Sequence, residues 1–93
     1  MAFQKMEAVV KGYVQGVGFR FFAERMANLL GITGWVLNLP GGDVKVLAVG
    51  TEDKIHEFLM VLERGPLSAE VEKVESTITS VDYNDYNSFE ILS

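Results

Sequence analysis

Cysteine is absent from the chain, histidine and tryptophan occur once each (His56 and Trp35), and there are only two prolines. Without cysteine there can be no disulfide, no thiolate nucleophile and no cysteine-ligated metal site. With no cysteine, no suitable histidine and no Ser-His-Asp grouping, a covalent mechanism lacks a credible nucleophile and base. His56 follows a core position and sits between Ile55 and Glu57, which reads as a solvated surface position. No spaced set of histidines and carboxylates suggests a metal centre, and no cofactor is expected. Basic residues are also scarce. Eight Lys and Arg stand against thirteen Asp and Glu, a net charge of −5, which argues against a general binder of nucleic acid. No apolar run approaches membrane length and no charged-then-apolar leader opens the chain, so the expectation is a cytoplasmic protein with no membrane partner.

What is present is the composition of an ordinary globular protein, 48% apolar and 23% charged over 93 residues. That length predicts a single domain spanning residues 1–93, expected as a monomer. A domain of this size buries roughly 60–70% of its unfolded surface, enough for a real core.

Residues Met6 to Val14 alternate as a strand, with Met6, Ala8, Val10, Gly12 and Val14 on one face. From about Phe21 to Leu30 the period becomes helical: Phe22, Ala23, Met26, Ala27, Leu29 and Leu30 form an apolar stripe, and Gly31 is the stop signal. Thr33–Leu39 and Val44–Val49 read as two strands joined through Pro40-Gly41-Gly42-Asp43, where proline followed by glycine suits a type II turn. Trp35 reads as a residue that packs the sheet. Thr51, followed by Glu52 and Asp53, is the expected N-cap of a second helix with Ile55, Phe58, Leu59 and Leu62 inward, ended by Gly65-Pro66. Val71–Val81 and a short Phe89–Leu92 complete the strands. The order predicts an α+β, ferredoxin-like βαββαβ sandwich: an antiparallel sheet with two helices packed on one face.

The stretch Gly12-Tyr13-Val14-Gln15-Gly16-Val17-Gly18-Phe19-Arg20 links the first strand to the first helix. Gly16 and Gly18 permit positive φ and close approach of backbone to a ligand, so that successive N–H groups can face one concavity. The helix start adds unpaired N–H groups and the positive end of the macrodipole. Arg20 adds a planar fork of donors that matches phosphate oxygens. Lys11 and Arg25, in or beside the same stretch, add to a locally positive site on an acidic body. Neither common nucleotide motif is present: a P-loop begun at Gly12 would need glycine where Val17 stands, and a Gly-x-Gly-x-x-Gly begun at Gly16 would need it at Phe21. The remaining readings are a cradle for a small anion such as a phosphoryl group, or a plain strand-to-helix turn.

The wording of this stretch resembles the signature of the acylphosphatase family, enzymes that hydrolyse carboxyl-phosphate anhydrides. A second stretch, Gly34-Trp35-Val36-Leu37-Asn38-Leu39-Pro40-Gly41-Gly42-Asp43-Val44 with Gly50, resembles that family's other signature, in the expected order. The resemblance implies a phosphate-binding loop at Gln15, Gly16, Val17, Gly18 and Phe19, a phosphate-clamping Arg20, and a water-positioning Asn38. It implies an acyl phosphate as substrate and inorganic phosphate as product and competitive inhibitor. Direct attack by water would need little beyond positioning and charge stabilisation, because a carboxylate is already a good leaving group. Three departures bear on rate rather than on reaction type: Gly41-Gly42 in place of a common Asp-Gly, Leu37 where a polar residue is frequent, and an end at Ile91-Leu92-Ser93 without the frequent aromatic or basic residue. The main alternative is a non-catalytic ferredoxin-like anion-binding or regulatory module. An RNA-binding module of the same topology would need a basic surface that this composition lacks.

Overall fold

In the computed structural model, which describes residues 2–92, seven elements follow one another: β1 (Phe3–Tyr13), α1 (Phe19–Leu30), β2 (Thr33–Asn38), β3 (Val44–Gly50), α2 (Glu52–Arg64), β4 (Glu70–Val81) and β5 (Phe89–Ile91). The strands form one sheet in the order β4-β1-β3-β2-β5. β1 lies antiparallel to both β3 and β4, and β2 antiparallel to β3. The expected βαββαβ sandwich is therefore present, with one correction: the expected final strand, β5, joins the far edge parallel to β2, so the sheet is mixed and not wholly antiparallel. β5 takes that place because Phe89 is a core residue. It is buried and meets Phe58 of α2 edge-on, ring centroids 5.9 Å apart.

Period-two alternation sends Met6, Ala8 and Val10 of β1, Val36 of β2, and Val44, Val46 and Ala48 of β3 to the same face, where all are buried. Onto this face α2 brings Ile55, Phe58 and Leu62, and α1 brings Phe19, Ala23 and Ala27. Truncating a fully buried ring such as Phe58 to alanine costs about 3–5 kcal/mol, because the cavity only partly collapses. The other face of the sheet is mixed: Leu47 and Val49 of β3 are buried there, and Lys11 pairs with Asp43 at 3.6 Å and Glu75 at 3.9 Å.

Two expectations for α1 need correction. The helix begins at Phe19, and its buried stripe is Phe19, Ala23 and Ala27, whereas Leu29 is 72% exposed. At 100° per residue, six residues turn Leu29 about 120° away from Ala23, off the stripe's centre. The end of the helix is as expected: Gly31 caps it at φ 71°, and the Ile32 N–H donates to the Ala27 carbonyl at 2.8 Å. Thr51 stands at the N-cap of α2, but its hydroxyl donates to the Asp53 carboxylate at 2.8 Å instead of capping a backbone N–H. That bond is the main cause holding the Asp53 carboxyl below the usual carboxylate range.

Gly12 and Gly34, the first glycines of the two motifs, are strand residues with φ of 132° and 137°. A Cβ on Gly12 would run into the Glu70 carbonyl of β4, and one on Gly34 into the Leu47 carbonyl of β3. Both are required by close approach between strands and not by ligand binding.

Candidate active site

β1 ends at Tyr13, Val14 is buried behind it, and the chain turns through residues 15–18 into α1. Gly16 and Gly18 have φ of 76° and 79°, in the left-handed region, and nothing lies within 4 Å of where their Cβ atoms would be. Backbone conformation, not crowding, calls for glycine at these two positions. Gly18 is the N-cap of α1, yet no side chain caps the helix and no acidic residue lies in its first turn. At α2, by contrast, Glu52 and Asp53 occupy the first turn. The uncompensated positive end of α1 is thus left to whatever lies in front of it.

Two other connections hold the loop. The Gln15 carboxamide donates through Nε2 to the carbonyl oxygens of Leu39, at 2.7 Å, and Asp43, at 2.8 Å. It thereby ties the loop to the β2–β3 turn, whose Leu39 carbonyl also accepts from the Gly42 N–H and whose Gly41 has φ 98°, as a type II turn requires. On the other side, the Ser68 hydroxyl donates to the Val17 carbonyl at 2.7 Å.

Between the loop, the first turn of α1 and the end of β2 lies a cavity of about 100 Å³, lined by Gly16, Gly18, Phe19, Arg20 and Asn38 together with Val14 and Phe21. Asn38 is the last residue of β2 and lies two positions beyond the buried Val36, so its side chain falls on the helix-covered face. Its Oδ1 is buried and accepts no hydrogen bond from any described residue. An unpartnered buried acceptor costs about 1–3 kcal/mol, and functional sites are where that cost recurs. Arg20 is half-buried and donates through Nη1 to the Leu92 carbonyl at 3.2 Å. A guanidinium has five donors, so four of its N–H groups are left over from this bond. A guanidinium with spare donors and the first-turn amides thus border a space suited to one small oxyanion, and Asn38 beside them carries an acceptor oxygen that suits a donor such as water.

The acylphosphatase family model matches residues 6–91. The chain belongs to the acylphosphatase family. It is 46% identical to the acylphosphatase of Vibrio parahaemolyticus over 84 residues, which are 90% of this chain and 91% of that one. It is 45% identical to the acylphosphatase of Archaeoglobus fulgidus over 86 residues, 92% and 94% of the two chains. Its fold is similar to the crystal structure of acylphosphatase from Bacillus subtilis, with a TM-score of 0.91, 30% identity, and 97% and 99% of the two chains covered. Membership makes the chain a hydrolase of the acylphosphatase kind.

Of the residues that the acylphosphatase resemblance singled out, Gly16, Gly18, Phe19, Arg20 and Asn38 meet around the one cavity. Phe19 reaches it from a helix whose core its ring fills, for the residue is 1% exposed. Gln15 and Val17 are not among the lining residues: the Gln15 side chain binds the neighbouring turn, and the Val17 carbonyl is held by Ser68. The positive charge expected from Lys11 is not there, because that side chain is paired on the opposite face of the sheet. The sequence reading missed the Leu92 carbonyl, which carries no signal at 72 residues' distance from Arg20. It also missed Phe21, whose signal was available: an aromatic on the same helix face as Glu24, Arg25 and Asn28.

Proposed function

We propose that this chain hydrolyses acyl phosphates by direct attack of water on the phosphoryl group, without a metal, a cofactor or a covalent intermediate. The observation that carries this reading is the buried, unpartnered Oδ1 of Asn38, a residue that lines the same cavity as Arg20 and the uncapped start of α1. The phosphoryl oxygens lie on the backbone amides of Gly16, Gly18 and Phe19, in the Gln15–Phe19 loop, and on the Arg20 guanidinium. Water donates one hydrogen to Asn38 Oδ1, which turns its lone pair toward phosphorus. The new P–O bond forms as the bond to the acyl oxygen breaks, and the carboxylate leaves with that electron pair. The charge that spreads over the phosphoryl oxygens in a loose transition state meets fixed donors. Residues with titratable side chains are limited to Arg20 in the cavity lining, so the water's second proton passes to the phosphate or to solvent. No carboxylate or imidazole lines the cavity, in keeping with a reaction that needs no metal.

Inorganic phosphate, the product, is then a competitive inhibitor, and the domain works as a cytoplasmic monomer. No helix of the described residues is long and apolar enough to cross a membrane. Hydrolysis of benzoyl phosphate, followed by ultraviolet absorbance in the presence of EDTA, tests the reading. Turnover that persists in EDTA and is inhibited competitively by phosphate is expected. Folded protein that binds phosphate but does not turn over would mean a binding module that keeps the cradle and lacks the reaction.

A further inference from the structure

Acyl phosphates share one head and differ in the acyl part, so the place where that part lies decides which of them is used. A groove of about 430 Å³ adjoins the small cavity and shares Gly18 and Phe21 with it. Its apolar wall is built from Val17, Phe21, Phe22 and Pro66, and Glu24 and Arg25 also border it. Those two opposite charges leave the groove without a net sign, so it offers nothing to a charged acyl tail in particular. The bond from Ser68 to the Val17 carbonyl keeps the Pro66 segment against the loop, which makes the groove part of the same framework as the cavity.

Two observations connect the groove with the leaving group. Attacking and leaving oxygens lie roughly in line through phosphorus. Asn38 lines the cavity and not the groove, so a water held by Asn38 directs the leaving carboxylate to the side away from β2, and the groove lies beside the cavity, with Gly18 and Phe21 bordering both. The second observation is Phe21 itself. It is 71% exposed, while Phe19 and Ala23 on the same helix fill the core. Tyr13 and Leu29 are comparably exposed, but Phe21 borders both concavities, and its face suits a flat apolar group.

We propose that this groove is the acyl subsite and that Phe21 determines specificity, favouring acyl phosphates with an apolar, aryl-sized acyl group over small ones. This rests on the hydrolytic reading above. The test compares kcat/KM for benzoyl phosphate and acetyl phosphate in the wild type, Phe21→Ala and Phe21→Tyr. Intrinsic reactivity cancels when the benzoyl-to-acetyl ratio of each variant is divided by that of the wild type. Phe21→Ala is expected to lower the ratio roughly five- to tenfold, mainly through KM for benzoyl phosphate, while Phe21→Tyr keeps it within about twofold. An unchanged ratio in Phe21→Ala, with both substrates still hydrolysed, overturns the subsite and leaves the reaction standing. A wild type that hydrolyses neither substrate overturns both.

Discussion

Arg20, in the first turn of α1, donates through Nη1 to the carbonyl oxygen of Leu92, 72 residues further along the chain, at 3.2 Å. Leu92 is itself fixed, since its N–H donates to the Val36 carbonyl of β2 at 2.8 Å. Asn38 stands at the end of that same strand. The two side chains proposed to clamp the phosphoryl group and to hold the water are thus referred to one strand, Arg20 through the β5 end and Asn38 directly. Placement of reacting groups to within about 1 Å is worth large factors in rate, which gives this arrangement its value.

Loss of the guanidinium fork is expected to lower kcat/KM on benzoyl phosphate roughly 100- to 1,000-fold in Arg20→Ala, with weaker inhibition by phosphate. Arg20→Lys recovers little, because a point charge cannot match two oxygens while also holding Leu92. Truncation after Ile91 leaves the guanidinium but removes its anchor, and is expected to lower kcat/KM roughly three- to tenfold. Steady-state kinetics on the three variants decides the matter, and a fully active lysine variant would contradict the bidentate role.

Asn38→Ala should separate turnover from both binding and stability. Turnover is expected to fall roughly 100-fold or more, while phosphate affinity by calorimetry stays within about threefold. Because Oδ1 has no partner among the described residues, its removal relieves a buried acceptor, and the melting temperature should stay level or rise. A clear drop in melting temperature would indicate that Asn38 is structural.

Gln15→Ala removes both bonds between the loop and the β2–β3 turn. A loss of about 1–3 kcal/mol in urea unfolding is expected, and kcat should fall as the loop and Asn38 lose their common reference. Unfolding that matches the wild type would show that the clamp does not bear on stability.

The glycines divide by cause. Gly34→Ala is expected to destabilise by more than about 3 kcal/mol or to prevent folding, because its Cβ has nowhere to go beside Leu47. Gly18→Ala has open space and only its positive φ to contend with, so it should fold with a loss of about 1–2 kcal/mol. Equal losses at the two positions, measured by denaturant unfolding, would refute the distinction.

Much of this was readable in advance. Alternation over β1, the paired α2 residues Ile55, Phe58 and Leu62, and the stops at Gly31 and Gly65 are local signals, and they imply the layered fold without any long-range contact. The positive φ of Gly16 and Gly18 was legible for the same reason. Gly12 was read as part of the anion loop, yet its requirement comes from β4, a neighbour some sixty positions away that spacing alone cannot identify. Lys11 was counted toward the positive site because it is close in sequence. Strand alternation puts it on the opposite face, where Asp43 and Glu75 take up its charge.

Element order, the conformations at the turns and the residue types near the site follow from steric and apolar preferences acting within a few residues, and are therefore legible without the fold. Long-range packing sets the rest: Leu92 anchors Arg20, Gln15 turns to the hairpin, β5 pairs parallel with β2, and Phe21 borders two concavities. Those outcomes depend on which distant surfaces meet when the core is buried, and a hydrogen bond across 72 residues leaves no trace in local periodicity.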